Sequence, residues 1–230
     1  MKLLTQNSEL RKDGIWNWTI PAWNVKMSDG SWFNCCPNAG VCAKMCYARN
    51  GTYLFPVVKA KHLANLEHFI FRQAQWFTDM SAEIRKKRNL KYLRIHDAGD
   101  FFSDDYLQSW IDIAILHEQV TFYAYTKEVS RFKRYQREIP HNFRYLFSMG
   151  GREDHLIDKE NDRHCDVFPT EQALLDAGYM DQGANDLLAI TIPSNKIGIV
   201  SNRIPQFIKI QDGLTFGQQQ SKRESKRFKG

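Results

Sequence analysis

The chain has 230 residues, of which 43% are hydrophobic and 25% charged, with a net charge of +6 and five cysteines. A chain this long buries a core without covalent staples, and its composition is that of a folded globular protein, which argues against a disordered or disulfide-stapled class. Neither end carries a long apolar run and nothing between could span a bilayer, so the expectation is a soluble cytoplasmic protein with no membrane partner.

In chain order, IWNWTI alternates as a strand does and Pro21 ends it. The loop WFNCCPNAGVCAKMCYARNGTY follows, holding Cys35, Cys36, Cys42 and Cys46. Residues 57–89 place Leu63, Leu66, Phe69, Ile70 and Phe77 at helical spacing and predict one or two helices. KYLRIHD (91–97) reads as a strand. Ser103 before Asp104 and Asp105 is a helix N-cap with acids in its first turn, opening the helix DYLQSWIDIAILHE. VTFYAYTK (120–127) and NFRYLFSMGG (142–151) read as strands on either side of a basic helix, EVSRFKRYQRE. TEQALLDAG is a short helix, and DLLAITIP (186–193) and KIGIVS (196–201) read as further strands.

This alternation of strand, loop and helix predicts an α/β fold with parallel strands: a (β/α) barrel or partial TIM-like barrel with an N-terminal cysteine-rich loop. One barrel-like domain is expected over 1–216. The remaining 217–230 carry Lys222, Arg223, Lys226, Arg227 and Lys229 against Glu224 and read as a disordered basic tail. Such a tail adds attraction to phosphates or simply solubilises the terminus.

In parallel folds the chemistry gathers in loops after the carboxyl ends of strands. The cysteine loop is one candidate. Cytosolic thiols stay reduced, so four cysteines in one loop point to a metal before a disulfide framework. Cys36, Cys42 and Cys46 form C-x5-C-x3-C, with Cys35 adjacent. Three thiolates with an open position suit an iron–sulfur cluster; three with a histidine or fourth cysteine suit zinc. Cys35, Cys165, His164 and His62 are the possible further ligands.

After the next strand come His96, Asp97, Gly99 and Asp100. With Ser103 serving as the cap, the two aspartates are free for acid–base, nucleophilic or ligand-binding work, and Gly99 allows close backbone approach. His96 is a candidate for the same site or an inward-facing, hydrogen-bonded residue. Thr126, Lys127 and Ser148, at the ends of the following strands, are candidates for cofactor binding, and Gly150 and Gly151, before Arg152, form a glycine turn that can hold an anion. Tyr123 and Tyr125 read as core. In the basic helix, Arg131, Lys133, Arg134 and Arg137 form either a solvated face or, with Phe132 and Tyr135, a nucleic-acid face.

The segments C-x3-CYA-x2-G-x-Y and RIH-x-x-GDF, with VTFYAYTK, resemble the phage gene product 88 domain family over roughly residues 14–150. That family's order of parts is similar to a radical S-adenosylmethionine enzyme, although C-x5-C-x3-C differs from the usual C-x3-C-x2-C. The resemblance implies that Cys36, Cys42 and Cys46 hold a 4Fe-4S cluster and that Gly99 and Asp100 meet S-adenosylmethionine, with a nucleotide or nucleic acid as substrate. Two other readings stand beside it. One is a guanine transglycosylase exchanging a 7-deazaguanine base, with Asp97 or Asp100 as nucleophile and structural zinc on the cysteines. The other is a non-enzymatic nucleic-acid-binding protein stabilised by zinc.

Overall fold

The computed structural model describes residues 2–201 and 204–227. The chain divides into two units where the sequence suggested one domain. The first holds the chain up to Pro37, with Ala48–Tyr125 and Arg131–Arg144; the second holds Asn38–Tyr47, Thr126–Ser130 and the chain from Tyr145 onward.

The first unit opens with helix α1 (Ser8–Lys12), capped by the Asn7 side chain, which accepts from Leu10 N–H at 2.8 Å. Strand β1 (Ile15–Trp18) follows, then an antiparallel ribbon of β2 (Asn24–Lys26) and β3 (Trp32–Asn34). Helices α2 (Pro56–Phe71) and α3 (Gln73–Lys86) are separate: Arg72 between them has φ −148° and ψ 51°, which no α-helix continues through. Pro56 at the start of α2 lacks a donor that the first turn would leave orphaned in any case. Strand β4 (Tyr92–Ile95) leads to α4 (Asp104–Leu116), where Ser103 Oγ accepts from Tyr106 N–H at 3.2 Å, the cap expected from sequence. Strand β5 (Thr121–Thr126) and helix α5 (Val129–Tyr135) complete the set.

Strands β1, β4 and β5 pair in parallel, with Trp18 opposite Ile95 and Ile95 opposite Ala124. Aromatic packing fills the space between β1 and the helices. Trp18 meets Trp76 of α3 edge-on at 5.7 Å and Trp110 of α4 at 6.2 Å, and Phe69 of α2 lies 4.6 Å from Tyr106. All five are buried, and rings of this size dominate core energetics.

The second unit contains most of β6 (Phe143–Ser148), then β7 (His164–Phe168), α6 (Glu171–Asp176), β8 (Met180–Asp181), α7 (Leu188–Thr191), β9 (Lys196–Val200), α8 (Pro205–Gln211) and α9 (Phe216–Arg227). Gly198 of β9 has no room for a side chain, since a Cβ there would lie 2.6 Å from Leu174 of α6. This close approach seats the helix on the strand.

The main sheet has seven strands in the order β1-β4-β5-β6-β7-β9-β8. It is an open sheet of a mixed α/β fold. The expected closed barrel does not form: the outer edge of β9 is taken by β8, with Met180 opposite Ile197 in parallel, and β8 ends the order.

Three local expectations also change. DLLAITIP contains the helical turn α7, not a strand; Asn185 Oδ1 accepts from Leu187 N–H at 2.7 Å just before it. DRHCD is not a loop, because His164, Cys165 and Asp166 lie in β7 between β6 and β9. Residues 217–227 of the supposed tail continue α9, in which Gly217 and Gln220 are buried. Lys229 lies outside the described residues.

Candidate functional site

The ends of β1 and β4 set one group of candidates side by side in the first unit. His96 N–H donates to Trp18 O at 2.9 Å and Ile20 N–H to Ala98 O at 3.3 Å, so the two strand-end loops run together. Gly99 sits against Ile20 with φ +88°, and a Cβ there would lie 2.2 Å from Ile20 Cγ1. Only glycine fits both the space and the left-handed backbone. Asp100 N–H then donates to Cys35 O at 3.0 Å, and its own Oδ1 accepts from Phe101 N–H at 2.8 Å. The glycine–acid turn is thereby tied to the cysteine pair that follows β3.

The two adjacent cysteines differ. Cys35 is buried, and burial pushes its thiol up to about 12. Cys36 is half-buried, and its Sγ accepts the Trp23 backbone N–H at 3.3 Å. Trp23 itself has φ +57°, an uncommon conformation for so bulky a residue and one that concentrates at functional sites. Backbone donors aimed at sulfur stabilise thiolate character and tune iron–sulfur sites.

Asp97 accepts from the Tyr53 hydroxyl at 2.5 Å and lies 3.7 Å from an Arg94 nitrogen. The Tyr53 ring is 6.0 Å from His62, whose pKa burial lowers while the Asp97 charge opposes that shift. Tyr53 closes the C-x3-CYA-x2-G-x-Y segment, but nothing in the sequence tied it to Asp97, since it lies in a 3-10 turn remote in the chain. His96, a catalytic candidate by sequence, is enclosed by the core. It is 3% exposed, its Nε2 shares a 2.8 Å hydrogen bond with the Tyr106 hydroxyl, and burial drives its pKa down to about 3. Its part is to hold the turn after β4, not to exchange protons with a substrate near neutral pH.

Cys42 and Cys46 belong to the second unit, on the segment Asn38–Tyr47. Cys42 stands in a 3-10 turn over Val41–Ala43, and its N–H donates to Gly150 O at 3.3 Å. In the same unit Lys127 Nζ donates to Ser148 Oγ at 2.7 Å, Ser148 O at 3.0 Å and Met149 O at 3.2 Å. Thr126 is buried, and its hydroxyl accepts from Glu128 N–H at 3.0 Å, so it shapes the turn after β5.

The glycine turn after β6 does hold an anion, but that anion is the protein's own. Gly150 and Gly151 N–H donate to the two Asp154 oxygens at 2.7 and 2.8 Å. Burial pushes Asp154 up to about 6, against the pull of those donors and of Lys127. Asp166 of β7, unnoticed in the sequence, is buried and shifted upward for the same reason; it accepts from Thr215 Oγ1 at 2.6 Å and Gly217 N–H at 3.1 Å.

Other sequence candidates are committed elsewhere. Arg131 and Arg134 of α5 both pair with Asp104, at 2.7 and 2.9 Å, and Phe132 is buried. His164 uses both ring nitrogens, one toward Asp162 O and one toward the Tyr179 hydroxyl, and Cys165 is buried in β7. None of the five cysteines is in a disulfide. Among the described residues no group of three or more histidine, cysteine, aspartate or glutamate side chains is disposed to hold a metal ion.

The family model described as "Gene product 88" matches residues 1–228. The chain belongs to the gene product 88 family. Relatives in this family include the "Gene 88 protein" of Mycobacterium phage D29, 30% identical over 114 residues that make up 45% of this chain and 47% of the relative. The "Gene 88 protein" of Mycobacterium phage L5 is 31% identical over 114 residues, with the same shares. The chain thus spans about half the length of the curated relatives it matches. No solved structure matches this gene product 88 chain. No helix among its described residues is long and apolar enough to cross a membrane.

Proposed function

We propose that this gene product 88 protein is a metalloenzyme of the radical S-adenosylmethionine kind acting on a nucleotide or nucleic acid. In this reading Cys36, Cys42 and Cys46 would be the ligands of an iron–sulfur cluster, although among the described residues no such group of three stands disposed for a metal ion, and the Gly99–Asp100 turn would contact the cofactor. The carrying observation is the hydrogen bond from Asp100 N–H to Cys35 O at 3.0 Å. It joins the glycine–acid turn after β4 to the start of the cysteine loop, the adjacency such an enzyme needs between cluster and cofactor. The N–H aimed at Cys36 Sγ is a further support, because it favours the thiolate. When bound, a cluster of this type supplies one-electron chemistry, while this chain supplies orientation and the exclusion of water.

Purification without oxygen, with iron, sulfide and zinc measured beside a visible spectrum, tests this directly. Iron, sulfide and colour are expected in the native chain, lost in Cys36→Ser and kept in Asp100→Ala, which instead loses S-adenosylmethionine binding. A chain that stays colourless and iron-free after anaerobic reconstitution would end the reading.

A base-exchange reading draws on a different contact. Tyr53 and Arg94 orient the Asp97 carboxylate, as a nucleophile in a guanine transglycosylase would require. There zinc would be structural, and Asp97→Ala would abolish incorporation of a labelled 7-deazaguanine base while leaving zinc bound. Undiminished incorporation by that variant would exclude it.

A further inference from the structure

We infer that the C-terminal helices α8 and α9 form a latch that sets the conformation of the Cys42–Cys46 turn, with Gln220 as its positioning residue. Gln220 Oε1 accepts the buried Val41 N–H at 2.9 Å, immediately before Cys42 in the chain. A buried backbone donor without an acceptor is costly, so this side chain favours the observed shape of the turn. The approach depends on Gly40: a Cβ there would lie 2.2 Å from Gln220 Oε1 and 2.6 Å from Gly150 O. The turn is therefore held between Gln220 on one side and the strand-end glycine, which accepts from Cys42 N–H, on the other.

Apolar contacts reinforce the hydrogen bond. Val41 and Met45 pack on Phe207 of α8, flanked by Ile204, Ile210 and Phe216. The helices are in turn fixed to the sheet. Asp166 of β7 binds Thr215 Oγ1 and Gly217 N–H at the start of α9, and Gln219 Nε2 donates to the Ile210 and Gln211 carbonyls at the end of α8. A continuous path of contacts thus runs from β7, through α9, to the backbone of Val41, next to Cys42. The last segment of the chain, polar in composition, is a working part of the cysteine turn.

This inference concerns the same loop as the proposed metal site, but its test needs no metal, so the two fail separately. The full-length chain, treated with chelator and held under native reducing conditions, is alkylated with iodoacetamide, and the rate at each cysteine is followed by peptide mass spectrometry. Gln220→Met keeps most of the side-chain volume and removes the acceptor. It should raise the rates at Cys42 and Cys46 about 5- to 30-fold, the population shift that one lost buried acceptor produces. Cys165, buried in the same unit, should keep its wild-type rate. Gln220→Glu combined with Glu224→Gln restores an acceptor without setting two carboxylates together, and should return the rates toward wild type.

Wild-type rates in Gln220→Met would overturn the latch. So would an equal rise at Cys165, which would mean general loosening, or a failure of the double variant to rescue. Amide exchange in the unmodified chain gives an independent check should Gln220→Met fold poorly. Val41 N–H is expected to be protected, and rapid exchange there would overturn the inference without any variant.

Discussion

His96 makes the stability of this protein depend on pH in a way that can be worked through from its contacts. The Tyr106 hydroxyl accepts from Trp18 Nε1–H at 2.7 Å and shares a 2.8 Å hydrogen bond with His96 Nε2. Burial, with the Arg94 charge adding to it, lowers the pKa from 6.5 to about 3. Between those values the unfolded chain binds a proton at this residue and the folded chain does not. Stability from this group is therefore fully present above the unfolded pKa and is lost as pH falls toward the folded one. At pH 5 the unfolded state is favoured by a factor of roughly 30 relative to pH 8, or about 2 kcal/mol. Urea unfolding at both pH values, on wild type and His96→Asn, measures this. Asparagine tolerates the left-handed backbone found at His96 (φ +69°) and does not titrate. The wild type should lose about 2 kcal/mol more than the variant between pH 8 and pH 5, the other histidines cancelling. Matching losses, within about 0.5 kcal/mol, would refute the buried neutral imidazole.

Gly99→Ala forces an L-residue into the left-handed region, at about 1–2 kcal/mol, and drives a methyl into Ile20, at about 1–3 kcal/mol. Urea unfolding should show a loss of about 2–5 kcal/mol, and a loss below about 1 kcal/mol would contradict the packing described. Cys35, with its thiol pushed up to about 12, should be alkylated more slowly at pH 8 than Cys36 in the intact chain. Equal rates at the two, resolved by peptide mapping, would show that Cys35 is not enclosed.

Local signals carried far where the chain itself holds them. The Ser103 cap, the strands around Tyr92–Ile95, Thr121–Thr126 and Phe143–Ser148, and the helical stripe of α2 and α3 all rest on short-range patterning. Strand β7 escaped notice because it is short and Asp166, a residue depleted in strands, interrupts it; pairing on both sides overrides that. The apolar run of α7 reads equally as strand or helix at that length.

The sequence by itself determined the parallel α/β character of the chain, the early cysteine loop and the acid–glycine segment after β4, because period, turn residues and caps act within a few residues. Only the tertiary structure decided what each polar group faces. It enclosed His96, separated the buried Cys35 from the half-buried Cys36, and gave the glycine turn to Asp154. It also turned a polar terminus into a helix whose Gln220 supports the Val41 amide. These outcomes depend on desolvation and on partners far away in the chain, and neither is encoded in local spacing.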